Sequence, residues 1–121
     1  MPLNQELRDE INRLHANVCA GLADPTRILI LYTLSDGPYP VGKIARQLDT
    51  NQPTISRHLQ VLRERNLVTS QRDGHMVFYS LSDERIIQAL DLLRAVLADN
   101  LKKQVALASN VNPSPESATD S

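Results

Sequence analysis

Residues 50–68, with the sequence TNQPTISRHLQVLRERNLV, combine side chains that hydrogen-bond to bases with side chains typical of a core. At 3.6 residues per helical turn, Ile55, Leu59 and Leu62 fall on one side of a predicted helix. The opposite side carries polar residues, namely Gln52, Ser56, Arg57, Gln60 and Arg63. Glutamine pairs with adenine N6 and N7, arginine with guanine O6 and N7, and serine with several base edges or a phosphate. A merely solvated side would favour Lys and Glu, so this side predicts contact with double-stranded DNA.

The start of this helix is predicted at a tight turn. Asn51 or Thr50 can cap it, and Pro53 is tolerated in the first turn because that N–H has no intrahelical partner. A short helix is predicted just before the turn, over residues 41–48. Residues 41–65 therefore form a predicted helix-turn-helix, with the polar side on its second helix.

A β-hairpin is predicted directly after the helix-turn-helix. Strands are expected over residues 67–72 and residues 76–81, and the Asp73-Gly74 pair between them is a strong hairpin signal. A hairpin at residues 69–81 is the wing of a winged helix-turn-helix, and a wing of this kind supports DNA binding.

Two further helices are predicted before the helix-turn-helix. Apolar residues at spacings of four, three and four predict an amphipathic helix over residues 5–20: Leu7, Ile11, Leu14 and Val18. Asp24 and Pro25 are an N-cap and a first helical residue, and they open a second helix that continues to Leu34. This second helix is apolar nearly all round, which predicts that it forms the buried centre of the domain.

A long helix is predicted at the end of the domain, over residues 83–108, with Ser82 as its cap. Its apolar stripe is longer than a small helical core can cover: Ile86, Leu90, Leu93, Leu97, Leu101 and Val105. We therefore expect a homodimer that joins through the first and last helices. The predicted fold is mostly α with a β-hairpin wing (α+β), in the order helix-helix-helix-helix-strand-strand-helix. Residues 1–108 form the DNA-binding and dimerisation domain, and residues 109–121, rich in Ser, Pro and Asn, a disordered tail.

Composition and charge agree with this prediction. The chain has 121 residues and a net charge of −1, and it has one cysteine, which excludes an intrachain disulfide. Residues 41–80 hold six cations against three anions, a local excess suited to phosphate. Membrane-spanning and signal-peptide patterns are absent, which predicts a cytoplasmic protein. His15, His58 and His75 are scattered, no paired acids are expected to face a pocket, and no glycine-rich phosphate loop occurs, so we predict no enzyme activity.

Three segments resemble the ArsR/SmtB family of bacterial winged-helix repressors: LADPTRILILYTL, VGKIARQLDTNQPTISRHLQVLRERNLV and QRDGHMVFYSL. The similarity extends over roughly residues 19–101. It implies a homodimer that binds an imperfect inverted repeat overlapping a promoter and is released by an inducer. It also implies DNA reading by a defined set of residues: Gln52, Thr54, Ser56 and Arg57, with Arg72 and His75 supporting from the wing. Arg57 stands where the family often has histidine, so the resemblance does not imply which operator sequence is preferred.

The metal sites implied by the resemblance are altered. The family's paired cysteines in the first helix of the helix-turn-helix are replaced by Pro40 and Gly42. At the last helix, Asp83 is present, but Arg85 replaces a histidine ligand, and Val96 and Asp99 stand at the later positions. Arginine and valine do not coordinate zinc, so neither site is expected to bind metal.

Three explanations of regulation remain open. His15 and Cys19 are four residues apart on one helical face and could bind a metal together with one further ligand, Asp91, Asp99 or His75. Cys19 alone could sense oxidants through a disulfide across the dimer or a persulfide. A regulator without any inducer could instead be displaced by competition at its operator. No cofactor is predicted for this chain other than the metal ion that His15 and Cys19 could bind. A winged helix can also serve only as a protein-interaction module, and a steep loss of DNA binding with salt distinguishes the two uses.

Overall fold

The computed structural model describes residues 3–111, with side chains through residue 108. Five helices occur in this part of the chain: α1 (Gln5–Leu14), α2 (Pro25–Leu34), α3 (Val41–Gln47), α4 (Gln52–Glu64) and α5 (Arg85–Val111). Three strands accompany them: β1 (Tyr39–Pro40), β2 (Val68–Asp73) and β3 (Met76–Leu81). The predicted winged helix-turn-helix is confirmed. The described backbone divides into two units, residues 3–87 and residues 88–111.

The core of the first unit is built from α2, α3 and α4. Its fully buried side chains are Ile30, Leu31, Ile44, Ile55, Leu59 and Leu62. The predicted burial of one side of α4 is therefore confirmed. The prediction for α2 is only partly right, because the side chain of Leu29 is 52% exposed. Apolar periodicity cannot separate a helix buried on all sides from one that leaves a leucine at the surface.

The wing is part of a three-stranded antiparallel sheet with the order β1-β3-β2. β2 pairs with β3 from Val68↔Leu81 to Asp73↔Met76, which confirms the predicted hairpin. The prediction of only two strands was wrong, because β1 adds to the other edge of β3 through the pair Tyr39↔Tyr79. A strand of two residues that includes a proline leaves no alternating pattern to detect.

The loop of the hairpin contains Gly74 and His75. Gly74 has a φ of 66°, in the left-handed region that a two-residue hairpin loop requires at its first position. The Asp73-Gly74 signal therefore marks the turn correctly, although Asp73 itself is the last residue of β2. His75 is exposed at the tip of the wing.

The ends of the helices follow the predicted caps with one exception. The Asp24 carboxylate accepts a hydrogen bond from the backbone N–H of Thr26 at 2.8 Å, as expected for an N-cap. Ser82 does not cap α5, because its hydroxyl donates to the carbonyl of Asn66 at 2.7 Å. The carboxylate of Asp83 instead accepts the N–H of Arg85 at 2.8 Å, and α5 begins at Arg85 rather than at residue 83.

The first helix departs from regular α-helix near its C-terminal end. α1 leads directly into a π-helical segment, His15–Cys19, in which the N–H of Ala20 donates to the carbonyl of His15 five residues earlier. The apolar stripe of this helix is accessible, with exposed fractions of 48% for Ile11 and 45% for Leu14.

The second unit is the C-terminal part of α5. The helix continues to Val111, three residues beyond the predicted end, and the rest of the predicted tail lies outside the described residues. Large apolar side chains along it are more than half exposed: Leu92, Leu93, Val96, Leu97, Leu101, Val105 and Leu107. Within residues 3–111, no helix is both long enough and apolar enough to cross a membrane.

Candidate nucleic-acid interface

The polar side of α4, which is predicted to contact bases and is called the reading side below, is accessible. Gln52, Ser56, Arg57, Gln60 and Arg63 are exposed, and Thr54 is half-buried. On the opposite side of the same helix, Ile55 and Leu59 are at most 1% exposed. Burial of that side fixes the rotation of α4 about its axis, so the polar residues point to solvent together. Their placement is confirmed, and their contact with DNA stays a prediction.

The turn before α4 prepares its N-terminus. The Asn51 side chain accepts a hydrogen bond from the N–H of Thr54 at 2.9 Å, which confirms Asn51 as the cap and leaves Thr50 in another role. The Thr50 hydroxyl donates to the carbonyl of Leu48 at 3.0 Å. Asp49 adopts a left-handed φ of 49°, which reverses the chain between α3 and α4. The free N–H groups and the dipole of α4 then face solvent, where they favour a phosphate.

Two side chains on the reading side of α4 are partly organised before any partner arrives. Nη2 of Arg57 donates to the hydroxyl of Thr54 at 3.2 Å, one turn earlier. This bond draws the guanidinium towards the start of the helix, the part that enters the major groove in this type of motif. Further along, the amide of Gln60 donates to the carboxylate of Glu64 at 3.4 Å.

α3 contributes two cations that the sequence analysis counted only towards the charge. Lys43 and Arg46 are exposed and lie three residues apart, so they share one side of the helix. Nζ of Lys43 lies 4.3 Å from the centre of the Tyr39 ring, a cation–π contact. Because β1 holds Tyr39 against Tyr79 of β3, the sheet orients this lysine. Their three-residue spacing within a predicted helix-turn-helix was the sequence signal that could have identified them as candidate DNA contacts.

The first turns of α3 and α4 approach each other closely at Gly42. A Cβ atom built there would lie 3.6 Å from Nη1 of Arg46 and 3.8 Å from Oε1 of Gln52. Next to them, a cavity of about 450 Å³ opens between α3, α4 and the wing. Half of the residues that line it are polar or cationic: Lys43, Arg46, Gln52, His75 and Tyr79. The other half are apolar residues or glycine, and they include Met76 and Val77 of the wing. The predicted reading residue Gln52 is therefore brought together with wing residue His75.

The wing presents its predicted contacts at the end of the hairpin. Arg72 is exposed and pairs across the ladder with Val77, while His75 lies in the loop. Met76 is 46% exposed beside His75. The hairpin thus carries a cation, an imidazole and an apolar side chain at one end, which are suited to phosphates and to a groove.

An ion pair lies at the start of α5, where the resemblance implied an altered metal site. Nη2 of Arg85 lies 2.7 Å from the Asp83 carboxylate, and Nε lies 3.1 Å from each carboxylate oxygen. Hydrogen bonds from the Arg85 side chain, followed by its backbone N–H, lower the pKa of Asp83 to about 2. The carboxylate that resembles a family ligand is therefore already engaged by the residue that replaces the histidine.

The remaining sensing candidates lie on the π-helical segment. His15 and Cys19 are both exposed, one at each end of that segment. Among residues 3–111, no group of three or more His, Cys, Asp or Glu side chains is arranged to hold a metal ion. Metal binding by His15 and Cys19, and thiol chemistry at Cys19, stay predictions.

Comparison with known proteins finds this chain similar to bacterial regulators. A family model described as bacterial regulatory protein, arsR family, matches residues 24–70. The chain is 36% identical over 75 residues to the biofilm growth-associated repressor of Agrobacterium fabrum. The aligned residues make up 62% of this chain and 64% of that protein, so the chain spans just under two thirds of the relative's length. It is 31% identical over 99 residues to the nodulation protein NolR of Rhizobium meliloti, covering 82% of this chain and 80% of that protein.

A solved structure supports the same comparison. The chain is similar to the NMR structure of a homodimeric winged helix-turn-helix DNA-binding domain from Mycobacterium bovis, described as a possible ArsR-family transcriptional regulator. The TM-score is 0.71 and the identity is 27%, over 84% of this chain and 93% of that one.

Proposed function

Because the chain belongs to the ArsR family of bacterial regulatory proteins, we propose that it is a homodimeric transcriptional repressor that binds an inverted-repeat operator. The family consists of DNA-binding regulators and not of enzymes. One observation carries the proposal: Gln52, Ser56 and Arg57 are exposed together on a helix whose opposite side is fully buried. A regulator of transcription acts where the bacterial chromosome is, so we place the protein in the cytoplasm.

Each protomer is proposed to contact one half-site through α4, α3 and the wing. The proposed contact residues are those of the sequence prediction together with the two cations of α3: Gln52, Thr54, Ser56, Arg57, Gln60, Arg63, Arg72, His75, Lys43 and Arg46. Residues near the start of α4 read base edges, and the cations of α3 and the wing bind phosphates.

The apolar surfaces of the first and last helices support the homodimer. On α1, Ile11 and Leu14 are about half exposed, and on α5, Leu93, Leu97 and Leu101 are exposed by 53–64%. Exposed apolar stripes of this length are unusual in a monomer and mark an interaction surface. The similar winged helix-turn-helix domain from Mycobacterium bovis is described as homodimeric, which supports the same oligomeric state here.

Release from the operator is proposed to need no metal at α5, since Arg85 already occupies the Asp83 carboxylate. Two routes remain for this chain. Either Cys19, exposed on the π-helical segment, is the sensing group, alone or with His15 as a metal ligand, or a competitor displaces the protein at its promoter.

The proposal is tested by selecting duplexes from a random DNA library with the purified protein and measuring the mass of the selected complex. We expect an inverted repeat with two protomers bound, and an affinity that falls steeply as salt is raised, because several phosphate contacts release counterions. A duplex that holds a single half-site is the matched control and should bind more weakly. Weak binding that does not depend on sequence or salt would contradict the proposal.

A further inference from the structure

Two arginines connect the first helix to α4, and both contacts lie within the first unit. The first is Arg65, the residue that follows the last turn of α4. Its Nη1 donates to the carbonyl of Ala16 at 2.8 Å, across 49 residues of sequence. Ala16 belongs to the π-helical segment, and π-turns of this kind are frequent at functional sites. The end of the proposed DNA-reading helix is therefore bonded directly to the irregular turn of the first helix.

The position of Arg65 is set by this contact. Its Nε is buried and has no hydrogen-bond partner among the described residues, a costly arrangement for a charged donor. The stem packs against the first helix at Gly21, where a Cβ atom would lie 3.5 Å from both Cβ and Cγ of Arg65. The same atom would lie 2.7 Å from Cδ1 of the buried Leu67, so the glycine permits this close approach.

Arg27 makes the second connection. Its Nε donates to the carbonyl of Gly21 at 2.8 Å, and its Nη2 donates to the carbonyl of Ala20 at 3.2 Å. Its Nη1 lies 3.4 Å from Nδ1 of His58, which is in the middle of α4 and next to Arg57. The C-terminal end of the first helix is thus connected through Arg27 to His58 in the middle of α4, and directly to Arg65 just after its last turn.

We propose that Arg65, together with Arg27, is a positioning residue that sets the half-site spacing accepted by the dimer. The inference rests on the proposed function, in which the first helix packs across the two-fold axis and α4 enters the major groove. The distance between the two α4 helices then depends on how rigidly each is attached to its own first helix. Half-sites one helical turn apart are about 34–36 Å apart, and one extra base pair adds about 3.4 Å and rotates the second half-site. If the attachment is rigid, the dimer can bind the altered spacing only when the DNA is deformed, and this deformation lowers the affinity.

The test measures affinity by fluorescence anisotropy against the duplex selected by the wild-type protein and against versions with one base pair added or removed between the half-sites. For the wild type, we expect about a tenfold loss on either change. Arg65→Met keeps the length of the side-chain stem but removes the hydrogen-bond donors. For this variant, the loss of affinity on adding or removing one base pair should be only about threefold or less. Arg65→Lys restores a donor and should recover most of the discrimination. Arg8→Met, which removes an equal charge from an exposed position on α1, should behave as the wild type.

The outcomes separate the inference from the proposed function. If the wild type forms no dimer on an inverted repeat, the proposed function fails. If the wild type binds the repeat but Arg65→Met, folded by circular dichroism, retains the wild-type discrimination, only the positioning role is overturned. If Arg65→Met does not fold, Arg27→Gln is measured in its place and should also bind the selected and the altered spacings with more similar affinities. If the ratio of these affinities in Arg27→Gln equals that of the wild type, the inference is overturned.

Discussion

Nη2 of Arg57 is hydrogen-bonded to Oγ1 of Thr54 at 3.2 Å, one turn apart on the exposed side of α4. The bond restricts a long side chain that would otherwise lose rotamer freedom on binding. Thr54 in turn donates its N–H to the cap residue Asn51. Two consecutive hydrogen bonds at the start of α4 therefore orient the Arg57 guanidinium before DNA binds.

Replacing Arg57 with Ala should reduce affinity by about 1–3 kcal/mol and relax the preference at one base pair of each half-site, because a bidentate contact to guanine is lost. The measurement compares Kd values over operators that differ by single base pairs. Thr54→Val, which keeps the shape of the side chain but removes the hydroxyl that holds Arg57, should weaken binding less and leave the preference at the Arg57 base pair in place. Equal loss on every sequence after Arg57→Ala would mean that Arg57 contacts a phosphate.

Asn51 can be changed so that its effects on stability and on DNA binding separate. Asn51→Ala removes the acceptor of the Thr54 N–H and should lower the free energy of unfolding by about 0.5–2 kcal/mol in urea. Asn51→Asp keeps an acceptor at the helix N-terminus and should retain the stability. Its added negative charge should nevertheless weaken binding to DNA. If Asn51→Asp binds DNA as tightly as the wild type, the N-terminus of α4 does not face a phosphate.

Lys43→Gln should reduce the slope of log K against log salt by about one, because one phosphate contact is removed. Affinity should fall by a similar factor on every sequence. The measurement is a salt titration of binding to the selected operator. Arg13→Gln, an equal change of charge at an exposed position on α1, is the control and should leave the slope unchanged. An unchanged slope in Lys43→Gln would place α3 outside the interface.

The Asp83–Arg85 pair predicts a defined response to acid. The pKa of Asp83 is lowered from 3.8 to about 2, so its contribution to stability is complete above about pH 3.8 and is lost as the pH falls towards 2. An NMR titration of the carboxyl carbon should give a midpoint near 2 in the wild type. In Arg85→Gln the midpoint should rise towards 3.8 but stay below it, since the backbone hydrogen bond remains. Arg94→Gln, which removes a partner of Asp91 instead, is the control and should leave the titration midpoint of Asp83 unchanged.

Cys19→Ser tests the thiol as the sensing group. If thiol chemistry releases the operator, the variant should repress a reporter normally in cells and fail to be induced by oxidants. His15→Gln distinguishes a metal site from thiol chemistry, because only a metal site needs the imidazole. Normal induction in Cys19→Ser would leave competition at the promoter as the proposed route of release.

The elements with a regular pattern were predictable from sequence. The period of Ile55, Leu59 and Leu62 predicted both the core and the exposed side of α4. The cap at Asp24 located the start of α2 to the residue, whereas Asn51 and Thr50 both remained candidates for the cap of α4 until the structure selected Asn51. The hairpin followed from one glycine with a left-handed φ. In each case the signal lies within a few residues of the structure that it determines.

The features that sequence reasoning missed depend on contacts between distant residues. The bond from Arg65 to Ala16 joins positions 49 residues apart, and an arginine after a helix gives no sign of which carbonyl it will reach. Ser82 was expected to cap α5, but the competing carbonyl of Asn66 was visible only in three dimensions. The third strand depends on the pairing of Tyr39 with Tyr79, and this distant pairing holds the Tyr39 ring beside Lys43.

The third strand has a consequence for exchanging parts between relatives. A two-stranded hairpin alone is marginally stable, and here β3 is completed by the two residues of β1, which lie more than 30 positions earlier in the chain. A chimera that takes only residues 68–81 from another family member would separate β3 from the strand with which it pairs. A transferable wing therefore consists of two pieces of sequence, and Tyr39 and Pro40 belong to the graft as much as the hairpin does.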